Sequence, residues 1–295
     1  GLGGLDTATA TLTVNGANDG PAITLPSDPG FSPLPMGNDL IGLSVADNDD
    51  TELTVTLVAE GEMTLSSTAG LAFALGDGDA DSTLVFSGML ADINSALGIV
   101  SYLATPDTGD TISLAVTDGD FAASGEIVYG TSGADTLDGI SGPSDIYGLD
   151  GKDTLNGGAG DDLLVGGAGA DTMRAGSGDD RVVWDEQDKR RDADGNILDM
   201  GGAGRDTLEV ASGSHFVTNG LSVYGFEVFE GAEGDDAVRG NLASVDYELN
   251  GGAGDDTLTG NGGNDTLSGG LGDDVLEGGA GDDLLVGGAG ADTMR

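Results

Sequence analysis

The chain has 295 residues, with 53 acidic against 9 basic side chains for a formal charge of -44, and it is 38% hydrophobic and 4% aromatic. Such a field repels nucleic acid and anionic lipid and attracts divalent cations, and so little apolar material excludes a thick globular core over the whole length. No run approaches 18 apolar residues, so no membrane insertion is expected, and the absence of cysteine excludes disulfides and thiolate metal sites.

Residues 1–20 read as the end of a preceding β module and its linker. Thr7 to Val14 alternates as TATATLTV with Ala8, Ala10, Leu12 and Val14 on one face, and Asn15 to Pro21 is dense in turn formers. Residues 21–128 read as a β-sandwich. Strands are expected at Ala22–Leu25, Thr51–Ala59, Glu62–Ser66, Leu71–Ala74, Ser82–Phe86, Gly98–Leu103 and Thr111–Thr117. Leu53, Val55, Leu57 and Ala59 alternate with polar residues, as in a strand with one wet face. Leu90, Ile93 and Leu97 fall at helical spacing and predict one short helix over 89–97.

TLTVNGANDGP at the start, ADNDD at Ala46 to Asp50, GMLADINSAL from Gly88 and AVTDGD at Ala115 to Asp120 resemble the cadherin-like or immunoglobulin-like repeats of large bacterial adhesins. That resemblance implies weaker Ca²⁺ sites at module junctions, at Asp19, Asp47, Asp49, Asp50, Asp118 and Asp120. Solvated turn aspartates are the alternative, and a Gly/Asp-rich hairpin loop explains Asp77, Asp79 and Asp81 equally well.

Near Tyr129 the alternation gives way to a period of nine. A first tract, residues 129–183, has units starting at Gly130, Gly139, Gly148, Gly157, Gly166 and Ala175. A second, residues 251–295, holds five copies starting at Gly251, Gly260, Gly269, Gly278 and Gly287. Each unit reads G-G-x-G-x-D-x-U-x, with U a large apolar residue. A period of nine with one apolar position fits neither helix nor alternating strand, and predicts stacked coils with the eighth-position side chains in an internal row. The sixth position supplies Asp135, Asp153, Asp162, Asp171, Asp180, Asp256, Asp265, Asp274, Asp283 and Asp292, and carboxylates plus backbone carbonyls form the all-oxygen set that Ca²⁺ prefers. Ser144 departs from the pattern, with Asp145 one place late, which puts an ion at that copy in doubt.

Residues 184–250 read as degenerate repeats and an insert. Worn copies at Gly201 and Gly231 carry Asp206 and Asp236, while Val210 to Phe229 is apolar and expected to pack against the side of the coil or cover its edge. Lys189, Arg190 and Arg191 lie among aspartates and read as a solvated loop.

These copies resemble the haemolysin-type calcium-binding nonapeptides, the RTX repeats of bacterial proteins secreted by type I systems. The resemblance implies a parallel β-roll with two units per coil and several Ca²⁺ ions in the turns. They would be held by the sixth-position aspartates and by carbonyls of Gly157, Gly158, Gly160, Gly166, Gly167, Gly169, Gly251, Gly252, Gly254, Gly278, Gly279, Gly281, Gly287, Gly288 and Gly290. It also implies a type I secretion apparatus as partner and a secreted or cell-surface location. The fold expected is therefore all-β, parallel β-roll tracts preceded by a sandwich with one short helix.

No catalytic set is legible. His215 is the sole histidine and has no cysteine to work with, and no glycine-rich stretch ends as a phosphate loop. Gly157 to Arg174 is identical to Gly278 to Arg295, which points to duplication of a block or a fragment of a repetitive parent. Three functions stay open: an adhesin-like calcium-folded surface module with a cell-surface or matrix ligand, the non-catalytic secretion and folding tail of an exoenzyme, and a surface-layer or matrix component.

Overall fold

The computed structural model describes residues 20–25, 38–41, 43–48, 52–103, 109–185, 187–188, 200–211, 216, 225–240 and 242–295. The strand expected at Thr7–Val14, and Asp19, Asp49, Asp50, Lys189, Arg190, Arg191 and His215, lie outside the described residues.

The amino-terminal part is organised by one long strand, Glu52–Leu65, whose inward residues Leu53, Val55, Leu57, Ala59, Met63 and Leu65 are all buried. Two separate strands are expected from the sequence here, yet the chain runs straight through. Gly61 permits this, because a Cβ at that position would collide with the Leu103 carbonyl and the Tyr102 ring. The first half of the strand lies between Asp81–Met89 and Asp110–Thr117, both antiparallel, and its second half pairs with Ile99–Leu103. The single short helix, Leu90–Leu97, has no side-chain cap and buries Ile93, Ala96 and Leu97. A helix of this length is marginal in water, so packing against the sheet holds it.

Ala122–Tyr129 is the hinge of the architecture. It pairs antiparallel with Asp110–Thr117 on one edge and parallel with Ser144–Tyr147 on the other. One sheet therefore passes from the amino-terminal part into the coils without a break. Gly125 to Tyr129 are buried in succession because both faces of the strand are covered. Ile127 and Tyr129 join the core of the amino-terminal part, together with Tyr147, Leu163 and Val165 from the next coils, while Val128 points into the roll. Tyr129 and Tyr147 stack at 5.2 Å.

Beyond this strand the fold is a parallel β-roll. Asp145 pairs with Leu163, and Leu163 with Arg181, while on the opposite face Thr136 pairs with Thr154 and Thr154 with Thr172. Each step is eighteen residues, two nonapeptides per coil. The eighth-position residues form the interior row, among them Ile146, Leu164, Val182, Leu208, Leu249 and Leu267 on one face and Leu155, Met173, Val238, Leu258 and Leu276 on the other.

The roll does not stop at residues 184–250. The step lengthens to 26 between Asp180 and Asp206, to 21 between Asp206 and Glu227 and to 20 between Asp236 and Asp256, then returns to 18. Larger side chains fill these wider coils. Trp184 meets Phe216 edge-on at 4.9 Å, and Phe216 meets Phe229 at 5.7 Å, all buried in the same interior row. The described aromatics of the apolar stretch Val210 to Phe229 (Phe216, Phe226 and Phe229) thus lie inside the roll.

Candidate metal centre

The glycine turns bring the sixth-position side chains of successive coils into register. Along both rows the backbone N–H of one sixth residue donates to the Oδ1 of the sixth residue one coil on, and at Asp206 to the Oε2 of Glu227. On one face Asp135 donates to Asp153 at 2.9 Å, Asp153 to Asp171 at 2.8 Å and Asp171 to Asp188 at 3.2 Å, and farther along Asp236 donates to Asp256 at 2.8 Å, Asp256 to Asp274 at 2.9 Å and Asp274 to Asp292 at 3.1 Å. On the other, Asp162 donates to Asp180 at 2.9 Å, Asp180 to Asp206 at 2.9 Å, and Asp265 to Asp283 at 3.0 Å. Every sixth-position aspartate named from the sequence is in these two rows.

The second carboxylate oxygen is the informative one. Oδ2 of Asp153, Asp162, Asp180, Asp206, Asp256, Asp265 and Asp274 is buried without a hydrogen-bond partner. In Asp153, Asp162, Asp256, Asp265 and Asp274 it lies against the first glycine of its own turn, so a Cβ at Gly148 would stand 2.6 Å from the Asp153 Oδ2. Gly254, at φ 139°, stacks so closely on the Gly234 carbonyl that only glycine fits. A buried carboxylate oxygen without a donor is expensive, and the cost shows in the acidities. Burial pushes Asp162 and Asp206 up to about 7, and Asp153, Asp180 and Asp256 up to about 6, with neighbouring carboxylates adding to the shift and backbone donors opposing it. Asp265 is raised for the same first reason.

Sequence reading missed several members. Asp188 and Glu227 occupy sixth-position rungs within the irregular coils, accepting from Asp171 and Asp206. Phe216 and Tyr247 also stand on rungs, donating their N–H groups to Asp236 and Asp265 while their rings fill the core. A second ladder, at the fifth position, was legible as the recurrent GDD and GND triplets. There the N–H of Asp273 donates to Asp255 at 2.8 Å, that of Asp255 to Asp235 at 2.9 Å and that of Asp282 to Asn264 at 3.0 Å. These bonds run back towards the previous coil, whereas the sixth-position bonds run forward.

Among the junction residues, Asp118 also has a buried Oδ2 without a hydrogen-bond partner. Asp118 accepts the N–H groups of Asp120 and Phe121 at 2.7 Å, closing its own hairpin turn, and Asp120 is exposed. Asp47 is half-buried. Among the described residues no group of three or more His, Cys, Asp and Glu side chains converges as a metal cage. Any ion in the turns would therefore draw on a few carboxylates and on backbone carbonyls. The buried, unpartnered Oδ2 atoms and the stacked glycine carbonyls fit a hard cation of that preference.

Four stretches of the chain, residues 123–142, 147–182, 248–276 and 260–294, match the family of the RTX calcium-binding nonapeptide repeat. All four stretches lie in the parallel β-solenoid formed by the described residues between 123 and 294, which is thus similar to an RTX-type nonapeptide-repeat module. A search among curated proteins gave no match. No helix among the described residues is long and apolar enough to cross a membrane.

Proposed function

We propose that this chain is a calcium-binding, non-catalytic structural module of a secreted or cell-surface, adhesin-like protein, and that its coils complete their folding on Ca²⁺ outside the cell. The observation that carries this reading is the row of buried Oδ2 atoms left without a donor in successive coils. Ca²⁺ would supply the positive charge and the oxygen coordination that these carboxylates lack. Asp153, Asp162, Asp171, Asp180, Asp206, Asp236, Asp256, Asp265 and Asp274, with the half-buried Asp135, Asp283 and Asp292, would hold it together with carbonyls of the turn glycines. Extracellular calcium modules operate at roughly 10⁻⁴–10⁻³ M, which suits a chain that stays unfolded during export by a type I apparatus and folds on arrival.

The shared sheet through Ala122–Tyr129 supports a rigid rod, since the amino-terminal part and the first coils cannot pivot about a linker. Such a rod fits adhesin-like presentation of a surface or matrix ligand. Circular dichroism and isothermal titration with CaCl₂, before and after chelation, test the proposal. Saturable binding of several ions with a gain of β signal is expected, and a spectrum indifferent to both calcium and chelator would falsify it.

A further inference from the structure

The turn Gly139 to Ser144 carries serine where the repeat places aspartate, and it is the one turn of the first tract without its own sixth-position carboxylate. A carboxylate nevertheless stands there. Ser144 pairs in register with Glu126 of the strand Ala122–Tyr129, so Glu126 occupies the rung one coil before it. Burial raises the Glu126 carboxyl, while the Ile140 N–H and the Ser144 hydroxyl are near enough to oppose that shift. In the neighbouring turn of the opposite face, the same second-position N–H, that of Thr131, goes to Oδ2 of that turn's own aspartate, Asp135, at 2.7 Å. Ser144 Oγ meets the Ile140 N–H only at 3.3 Å. Glu126 thus brings a carboxylate beside the turn that lacks its own, from the paired position one coil before.

The coils on either side of Ser144 each bring an unpartnered oxygen. Glu126, one coil before Ser144, is 6% exposed with Oε1 lacking a hydrogen-bond partner, and Asp162, one coil after Ser144, is 2% exposed with Oδ2 likewise unpartnered. Asp162 Oδ1 is already engaged by the Ser144 N–H at 2.8 Å. The two carboxylates are close enough to repel each other. We infer that Glu126, the Ser144 hydroxyl and Asp162 form a divalent-cation site for Ca²⁺ that ties the last strand of the amino-terminal part to the roll. This inference rests on the calcium reading above, and adds to it a ligand from outside the regular repeats.

The test compares the full chain with Glu126→Gln, with the double variant Glu126→Gln/Ser144→Asp, and with Asp256→Asn as a control in the regular tract. Bound Ca²⁺ is counted by native mass spectrometry and titration, and amide exchange is followed across 122–147 and 251–295. Glu126→Gln is expected to bind one ion fewer and to lose protection at 122–147 alone, and the double variant to regain both. If Glu126→Gln disturbs folding, recovery of fold and ion count in the double variant supports the site, and failure to recover overturns it. Unchanged ion count in Glu126→Gln, with ions lost in Asp256→Asn, overturns this site while leaving the calcium reading intact. No calcium bound by the parent chain overturns both.

Discussion

The first and last coils of the roll share one geometry but are held by different neighbours. In the first, the outward residues Tyr129, Tyr147, Leu163 and Val165 are buried in the core of the amino-terminal part. In the last coils the outward residues Thr257, Thr266 and Val275 are exposed, and parallel strand pairing, the interior row and the two ladders bind the coils together with no second core outside them. The more regular repeat is therefore the less supported one. A coil roofed by a second core can tolerate Ser144 and Pro143, whereas a coil without a roof depends on each turn being correct. Burial of one large apolar side chain is worth about 1.5–3 kcal/mol, and the first coils draw on several that the last do not.

The largest expected effect that sharpens this contrast comes from chelation. Amide exchange by mass spectrometry should show protection vanish across 251–295 without calcium, while 52–129 stays protected. Equal loss in both regions would break the comparison. Next are core truncations. Leu267→Ala and Leu57→Ala should each cost about 2–5 kcal/mol in calcium, measured by urea unfolding. Leu57→Ala should also destabilise the coils at 144–165, because that core is shared, whereas Leu267→Ala should leave residues 52–129 unchanged.

A pH series is the third. The raised values of Asp153, Asp162, Asp206 and Asp256 mean that folded, metal-free coils retain protons that the unfolded chain releases. Stability without calcium is then fully present below 3.8 and is lost as pH rises through about 6 to 7. Calcium takes over where the proton leaves, so its affinity should rise across the same window. Titration in two buffers of different ionisation heat would reveal the released protons, and proton-neutral binding would contradict the assignment. The smallest effect should come from Asp255→Ala, which removes one exposed fifth-position acceptor. About 0.5–1.5 kcal/mol is expected, seen as faster exchange at Asp273.

Much of this architecture is legible in the sequence because the nonapeptide constrains backbone and side chain together. Glycine at the first position follows from the carboxylate oxygen packed on it, and the eighth position from the interior row, so residues 251–295 can be read residue by residue. The coils between Trp184 and Asn250 are harder to read. A rung needs only a backbone N–H pointing at the next aspartate, and Phe216 and Tyr247 provide that as well as an aspartate would. Once the side chain is free to vary, the period disappears from the letters while persisting in the backbone. Ala122–Tyr129 hides for the opposite reason. Its run of buried residues serves two partners at once, and Glu126 sits nine residues before Asp135 without a glycine turn to announce the unit. The expected helix over 89–97 was readable from apolar spacing alone, since its place is set by one buried face.

The eighteen-residue step also defines a mechanical element. Strands lie across the roll and coils succeed one another along it, so tension applied along its length meets the inter-coil bonds a rung at a time instead of shearing whole strands. Each regular coil that lets go would pay out roughly 60 Å of extended chain, and the steps of 20, 21 and 26 residues would pay out proportionately more. Pulled from its carboxyl end, the molecule should lengthen in near-equal increments, like a ratcheted tether that absorbs a tug without failing at once. The series would end at Ala122–Tyr129, where the parallel sheet turns antiparallel.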